Sequence, residues 1–424
     1  MTHQLATGRT ATLIKLAFAA GAKTAAAFAA FALTALVTRN MPNDEAGLFL
    51  LGFTLITVLS IFFRLGLDNV ILRFLSAHGT DEFAQEKLNR GLLWVATLVI
   101  PATLLGMALS EPIATHIFNK PAFAPVLFWM LPALPAMAIF FLLSCAFQAQ
   151  HRVVVTTIFQ NLGVSTLFIA GFGYLWFNQP DALSAVTSAQ LYSVVAVTVL
   201  IAAISIWFSQ RNVSFKLTGY SDPELTHASM NLWVASIMSL AVQWSGILIA
   251  GAMLSAEEVA QLTAAQRTAM LTSFVLMVVN MVVAPRYARL WKEGNIDRIR
   301  YLAKWSTRGM IIMVLPVVAV MVTWPEKVMG LFGEGFEEAA VLLMILAAGQ
   351  FVNVATGSVG YLLNMSGHER DFNRVTFLSG PTTIGLSVIF CYYFGLIGVA
   401  MATALGVALQ NLLGLFIVRV KLQP

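Results

Sequence analysis

Residues 375–418 read VTFLSGPTTIGLSVIFCYYFGLIGVAMATALGVALQNLLGLFIV, a run with no Asp, Glu, Lys, Arg or His. At ~1.5 Å per residue a single helix of that length would reach about twice the ~30 Å depth of a bilayer's hydrocarbon layer. Water gives such a segment no polar surface, and a lipid layer is too thin to hold it straight. The run therefore has to cross, turn and cross back, with the turn expected at Phe394-Gly395. Further charge-free stretches occur at 91–110, 121–150, 153–180, 182–210 and 225–256. Each reaches the ~20 residues that span a bilayer as a helix. Over the 424 residues, 58% are apolar and 11% charged, less than half the usual soluble share of about 25% charged. The expected fold class is an all-α polytopic membrane protein.

Twelve transmembrane helices are expected, at 16–38, 46–63, 91–110, 123–147, 153–177, 184–208, 229–252, 259–285, 309–325, 339–364, 375–393 and 397–418. The first could be mistaken for a signal peptide, but it contains Lys23 and precedes eleven more spans, so it reads as a retained helix. The connecting segments then alternate in basic residues. Twenty of the twenty-five Lys and Arg fall on one side, and the other holds Arg39, Lys120 and Lys327 against ten carboxylates. The positive-inside rule makes the rich side cytoplasmic, with both termini there. Shifting the span count by one in mid-chain would destroy the alternation.

Several function classes drop out. No connecting segment exceeds roughly 30 residues, which argues against a membrane glycosyltransferase or a ligase working through a large loop. There is no H-E-x-x-H, P-loop or G-x-G-x-x-G, so an enzyme is not expected. Cys145 and Cys391 lie in apolar runs without metal-ligand spacing, and neither metal nor cofactor is expected. The net charge of +5 is not gathered into a nucleic-acid surface.

Shifting the chain on itself by 213 residues places Asp44-Glu45 on Glu257-Glu258 and Arg73-Phe74 on Arg286-Tyr287. With small insertions Arg90-Gly91 meets Arg308-Gly309, and the segment from Gln148 to Arg152 meets that from Asn364 to Arg370. The unit repeated is six helices, an even number, so both halves start on the same side. Two six-helix lobes in a parallel pseudo-two-fold repeat are expected, an N-terminal lobe at 1–210, a cytoplasmic linker at 211–228 and a C-terminal lobe at 229–424. Rocking of such lobes about a central cleft is the default transport mechanism.

The segment from Thr38 to Phe49, with Arg39 and Glu45-Ala46-Gly47, then Gly66-Leu67 and Arg73, resembles the start of bacterial polysaccharide repeat-unit (O-antigen type) flippases. Gln150-His151-Arg152 and its echo after the tenth helix resemble that family too. It belongs to the multidrug/oligosaccharidyl-lipid/polysaccharide exporter superfamily. The resemblance implies translocation of an undecaprenyl-diphosphate-linked oligosaccharide across the bacterial cytoplasmic (inner) membrane for cell-surface polysaccharide biosynthesis. It also implies membrane lipids and a polysaccharide polymerase as partners. The competing reading is a cation-coupled multidrug exporter of the same superfamily, which predicts a buried Asp or Glu.

Every carboxylate can be placed in a connecting segment or at a helix end, whereas two cations cannot. Lys23 lies inside the first helix, about two turns from its start, and Arg267 about 8 residues into the eighth. A central cation costs on the order of 2.5–3.5 kcal/mol on insertion scales and usually faces a wet, functional cavity. An anionic ligand such as a lipid diphosphate is the natural counter-charge, and snorkelling to an interface is the alternative. Ser236, Ser239 and Gln243 share a face of the seventh helix beside Trp244, Thr263 precedes Arg267 by one turn, and Gln350 and Asn353 lie on the tenth helix. These side chains are candidates for sugar hydroxyls or, equally, for interhelical hydrogen bonds.

Overall fold

The computed structural model describes residues 21, 24–78, 82–150, 152–210 and 222–421, and every regular element among them is a helix. The chain is an all-α polytopic membrane protein. Nine helical segments among the described residues are long and apolar enough to cross a membrane. The expected twelve differ from these nine at three places. Residues 24–40 are helical, but the start of the first expected span lies outside the described residues. The fifth is divided into Val153–Thr157, a wide turn at Ile158–Leu162, and Gly163–Asn178. The eleventh and twelfth form one continuous element, Glu369–Lys421, interrupted only by Gly395 at φ 58°, ψ −137°.

That interruption is a reversal. A β-carbon on Gly406 would collide with Thr383, so residues nearly equidistant from Gly395 on either side touch each other. The backbone angles at Gly395 belong to a region that only glycine occupies without strain, which is why the turn falls at the glycine predicted for it.

Helices on the Lys/Arg-rich side run past their apolar segments. The third span begins at Glu82 rather than 91, the seventh at Pro223 rather than 229, and the ninth at Ile296 rather than 309. Loss of hydrophobicity marks where a helix leaves the lipid, and nothing obliges it to stop there. A helix absent from the expectation, Leu67–His78, follows the second span. Leu67, Val70, Ile71, Phe74 and Leu75 are buried while Asn69, Arg73 and Ser76 are exposed, the spacing of an amphipathic surface helix.

The repeat reappears in the helix ends. The helix starting at Asn43 has its counterpart starting at Ala256, and those ending at residue 40 and Met253 keep the same 213-residue offset. The chain divides into two compact units at Ile237 and Met238. Residues 211–221 of the expected linker lie outside the described residues.

Unit 1 is packed with aromatic rings. Phe49 stacks on Phe168 at 5.4 Å and Tyr192 meets both edge-on. Near its Lys/Arg-rich end, Asp222 accepts from the Leu225 N–H at 3.0 Å, capping a helix that opens with Pro223. Lys87 contacts Asp222 at 2.8 Å and Glu224 at 2.9 Å, and Arg90 bonds Asp222 at 2.8 Å as well as Glu86. Unit 2 uses small residues instead. A β-carbon on Gly349 would lie 2.7 Å from the Ala404 α-carbon, the close helix approach that small side chains permit in lipid.

Candidate functional site

A cavity of about 300 Å³ lies within unit 2, the lower end of the ~300–1,000 Å³ typical of small-molecule sites. Four helical elements each supply two polar side chains, in three of them at the i+3, i+4 or i+7 spacing of one helix face. Ser239 and Gln243 come from Pro223–Met253, Ser273 and Asn280 from Ser273–Lys292, Gln350 and Asn353 from Ala340–Ala355, and Gln410 and Asn411 from Glu369–Lys421. Among the described residues no Lys, Arg, His, Asp or Glu lines it.

The tenth expected span is unwound beside the cavity. Ala340–Ala355 ends, Val359–Met365 begins, and Gly357 between them has φ +83° with Thr307 packed against its α-carbon. Non-helical backbone at membrane depth persists where it lines a cavity or is buried in protein. Here it places Ser358 in the lining, and Ser358 is 7% exposed.

Part of the lining is already hydrogen-bonded. Ser273 donates to Gln350 Oε1 at 2.7 Å, and the Asn353 amide donates to Gln350 Oε1 at 3.2 Å and Ser273 Oγ at 3.4 Å. The Gln243 carbonyl accepts from Gln266 at 2.5 Å. Two buried lining atoms, Asn280 Oδ1 and Ser358 Oγ, have no partner among the described residues. Such a wall offers donors and acceptors without formal charge, which suits hydroxyl-rich ligands.

Of the residues expected from sequence, Ser239, Gln243, Gln350 and Asn353 meet in this cavity. The other expected residues that the structure describes do not line it. Ser236 donates to the Leu232 carbonyl at 2.8 Å, and Trp244 is half-buried in a different direction on the same helix. Thr263 is fully buried. Arg267 is 9% exposed and occupies the last turn of Ala256–Met270, before a break at Leu271-Thr272. A helix carboxyl end is a favourable place for a cation, a stabilisation that the expectation of one unbroken eighth span did not include. Lys23 lies outside the described residues. Asn280, Ser273, Gln410, Asn411 and Ser358 also line the cavity and are not among the residues expected from sequence. Amides embedded in long apolar runs were the signal for three of them.

Comparison with known proteins follows the same lines. The family model described as "Polysaccharide biosynthesis protein" matches residues 15–291, and that named MatE matches residues 232–392. The chain is 27% identical over 184 residues to a probable low-salt glycan biosynthesis flippase, Agl15, of Haloferax volcanii, covering 42% of this chain and 38% of that protein. It is 26% identical over 315 residues to a probable lipid II flippase, MurJ, of Rhizobium meliloti, covering 69% of this chain and 54% of that one. The match thus spans about half or less of either relative. Among solved structures, an inward closed lipid II flippase MurJ superposes with a TM-score of 0.77 at 12% identity, covering 95% of this chain and 87% of that one. An inward-facing multidrug resistance MATE family transporter of the MOP superfamily gives 0.73 at 16% identity, covering 94% of both. At these identities the structural likeness shows the shared fold.

Proposed function

The chain belongs to the polysaccharide biosynthesis protein family, and from that membership we propose that it is a flippase for a lipid-linked glycan precursor. The specific reading is alternating-access export of an undecaprenyl-diphosphate-linked oligosaccharide from the cytoplasmic to the outer leaflet of a bacterial inner membrane. Both termini are cytoplasmic in this reading, and a polysaccharide polymerase consumes the product. The observation that carries it is the uncharged, amide-rich cavity assembled from Ser239, Gln243, Gln350, Asn353 and Asn411 inside a membrane-spanning unit. Sugar hydroxyls need neutral donors and acceptors in just such a place. Arg267 and Lys23 are the proposed contacts for the diphosphate, because cations at membrane depth are functional far more often than incidental. Moving the anion outward across an energised membrane is favoured by ~2.3 kcal/mol per charge per 100 mV.

A cation-coupled drug exporter is favoured by the MatE match over residues 232–392. That chemistry needs a carboxylate within a span. Every Asp and Glu among the described residues lies in a connecting segment or near a helix end. The deciding experiment reconstitutes the chain in vesicles and follows fluorescent polyprenyl-diphosphate oligosaccharide alongside a cationic dye. Glycan-lipid flipping that slows about tenfold in Asn353→Leu, as loss of hydrogen bonds to the ligand requires, supports the proposal. Dye efflux driven by a cation gradient, with no flipping, rejects it.

A further inference from the structure

A second cavity in unit 2, of about 650 Å³, has the opposite character. Arg300, Lys304, Thr307 and Arg308 line it from one face of Ile296–Thr323, at the i, i+4, i+7, i+8 spacing of a helix, and Arg419 lines it from the last turn of Glu369–Lys421. Among the described residues no carboxylate lines it. Arg300 has the exposed Asp297 at 3.5 Å, but Lys304, Arg308 and Arg419 form no ion pair among the described residues. The remaining wall is apolar, made chiefly of Val359, Leu362, Leu415 and Val418. The buried Ser358 hydroxyl, without a hydrogen-bond partner among the described residues, lines this cavity as well as the neutral one.

Cations and branched aliphatics in one lining select an amphiphile with an anionic head. A free anion would leave the apolar wall uncovered, and a neutral lipid would leave the cations without a counter-charge. The surroundings agree with a lipid-facing location. On the same two helices Tyr301, Trp305, Leu412 and Phe416 are exposed, and the Arg308 guanidinium sits 5.3 Å from the Trp305 ring, the aromatic and basic pairing found at bilayer interfaces.

We propose that this cavity binds the phosphate of an anionic membrane lipid. Lys304, Arg308 and Arg419 hold the phosphate oxygens and the tail lies along Leu362, Leu415 and Val418. The chemistry is shared by bilayer phosphatidylglycerol and by a polyprenyl diphosphate, and the test separates them.

Full-length protein in a neutral detergent is titrated with phosphatidylglycerol, phosphatidylcholine, polyprenyl diphosphate and inorganic diphosphate, with binding read by native mass spectrometry. The expected result is at least a tenfold preference for phosphatidylglycerol over phosphatidylcholine, lost in Lys304→Gln/Arg308→Gln. Both side chains are exposed, so the variant should fold. If its melting profile shows otherwise, Arg419→Gln on the final turn supplies the same reading. Displacement of phosphatidylglycerol by polyprenyl diphosphate assigns the site to a polyprenyl carrier, and no displacement assigns it to a bilayer lipid. Equal loss in Arg286→Gln/Arg289→Gln, two exposed cations that do not line the cavity, overturns the proposal in favour of general surface charge. Inorganic diphosphate binding as tightly as the lipids overturns it too. Flipping is measured separately on the same variants, so an empty cavity in a protein that still flips glycan lipid refutes this site and leaves the proposed function standing.

Discussion

In unit 1, Lys87, Arg90, Glu86, Asp222 and Glu224 bond one another, and Lys87 and Asp222 are almost wholly buried. In unit 2 the neutral cavity gathers nine Ser, Asn and Gln side chains without a formal charge among them, and leaves Asn280 Oδ1 and Ser358 Oγ with acceptor capacity to spare. Both regions bury polarity at some expense in desolvation. The first recovers it within the fold, by pairing and by capping the helix that begins at Pro223. The second recovers it only in part, and the remainder is available to a ligand. Composition alone would have pointed to the charged region as the working one. The hydrogen-bond inventory points to the neutral one.

The sharpest way to break this comparison is Asp222→Ala. It leaves buried Lys87 with only the exposed Glu224 and removes the helix cap. Breaking a buried pair costs about 3–5 kcal/mol, to be seen as a large fall in melting temperature in detergent. Burial alone would raise the Asp222 carboxyl above its usual range, but hydrogen bonds from Lys87, the Leu225 N–H and Arg90 outweigh it and hold the group below. A depressed acid stabilises the fold above its unfolded pKa and loses that contribution as the pH falls through the folded value. The wild type should therefore lose stability below about pH 4, and Asp222→Asn should show a weaker acid dependence. An unchanged melting temperature in Asp222→Ala would mean that the cluster is not structural.

Next in size is Gly357→Ala, which forces a non-glycine residue to φ +83° against Thr307. A strained residue of this kind costs on the order of 1–3 kcal/mol. Thermal melts should show that loss along with slowed flipping, because the unwound segment carries Ser358. The smallest stability effect belongs to Asn280→Leu. Replacing an incompletely bonded buried amide with an apolar group of similar size should change stability by less than about 1 kcal/mol. Flipping should nevertheless fall several-fold. A variant that unfolds while the remaining protein transports normally would show Asn280 to be a structural residue and erase the contrast between the two regions.

Much of the fold was legible because a bilayer simplifies the physics. The charge-free run at 375–418 could only be a hairpin, and Gly395 marks its turn. The 213-residue offset returns as helix ends at residues 40 and Met253. Helix starts were misplaced where hydrophobicity was used in place of capping chemistry. Asp222-Pro223 is an N-cap followed by proline at the first helical position, a signal visible in the sequence and overlooked. The cavity lining was legible in part. Ser239, Gln243, Gln350 and Asn353 stood out in the sequence because they are polar residues on apolar faces. Ser273, Asn280 and Asn411 satisfy the same criterion, and only the fold tells which faces converge. Thr263 and Ser236 met it too, yet lie elsewhere. The basic stretch up to Arg308 read as a topology signal because its facing partner, Arg419, is over a hundred residues away in the chain.

The reversal at Gly395 also constrains how the protein is made. Tyr392, Tyr393 and Phe394 crowd the bend, all well exposed, and no hydrophilic loop separates the two crossings. With no charged segment to thread through the translocation machinery between them, the two crossings are expected to enter the lipid together as one hairpin. A tag or glycosylation acceptor placed there would add the polar cargo that natural biogenesis avoids.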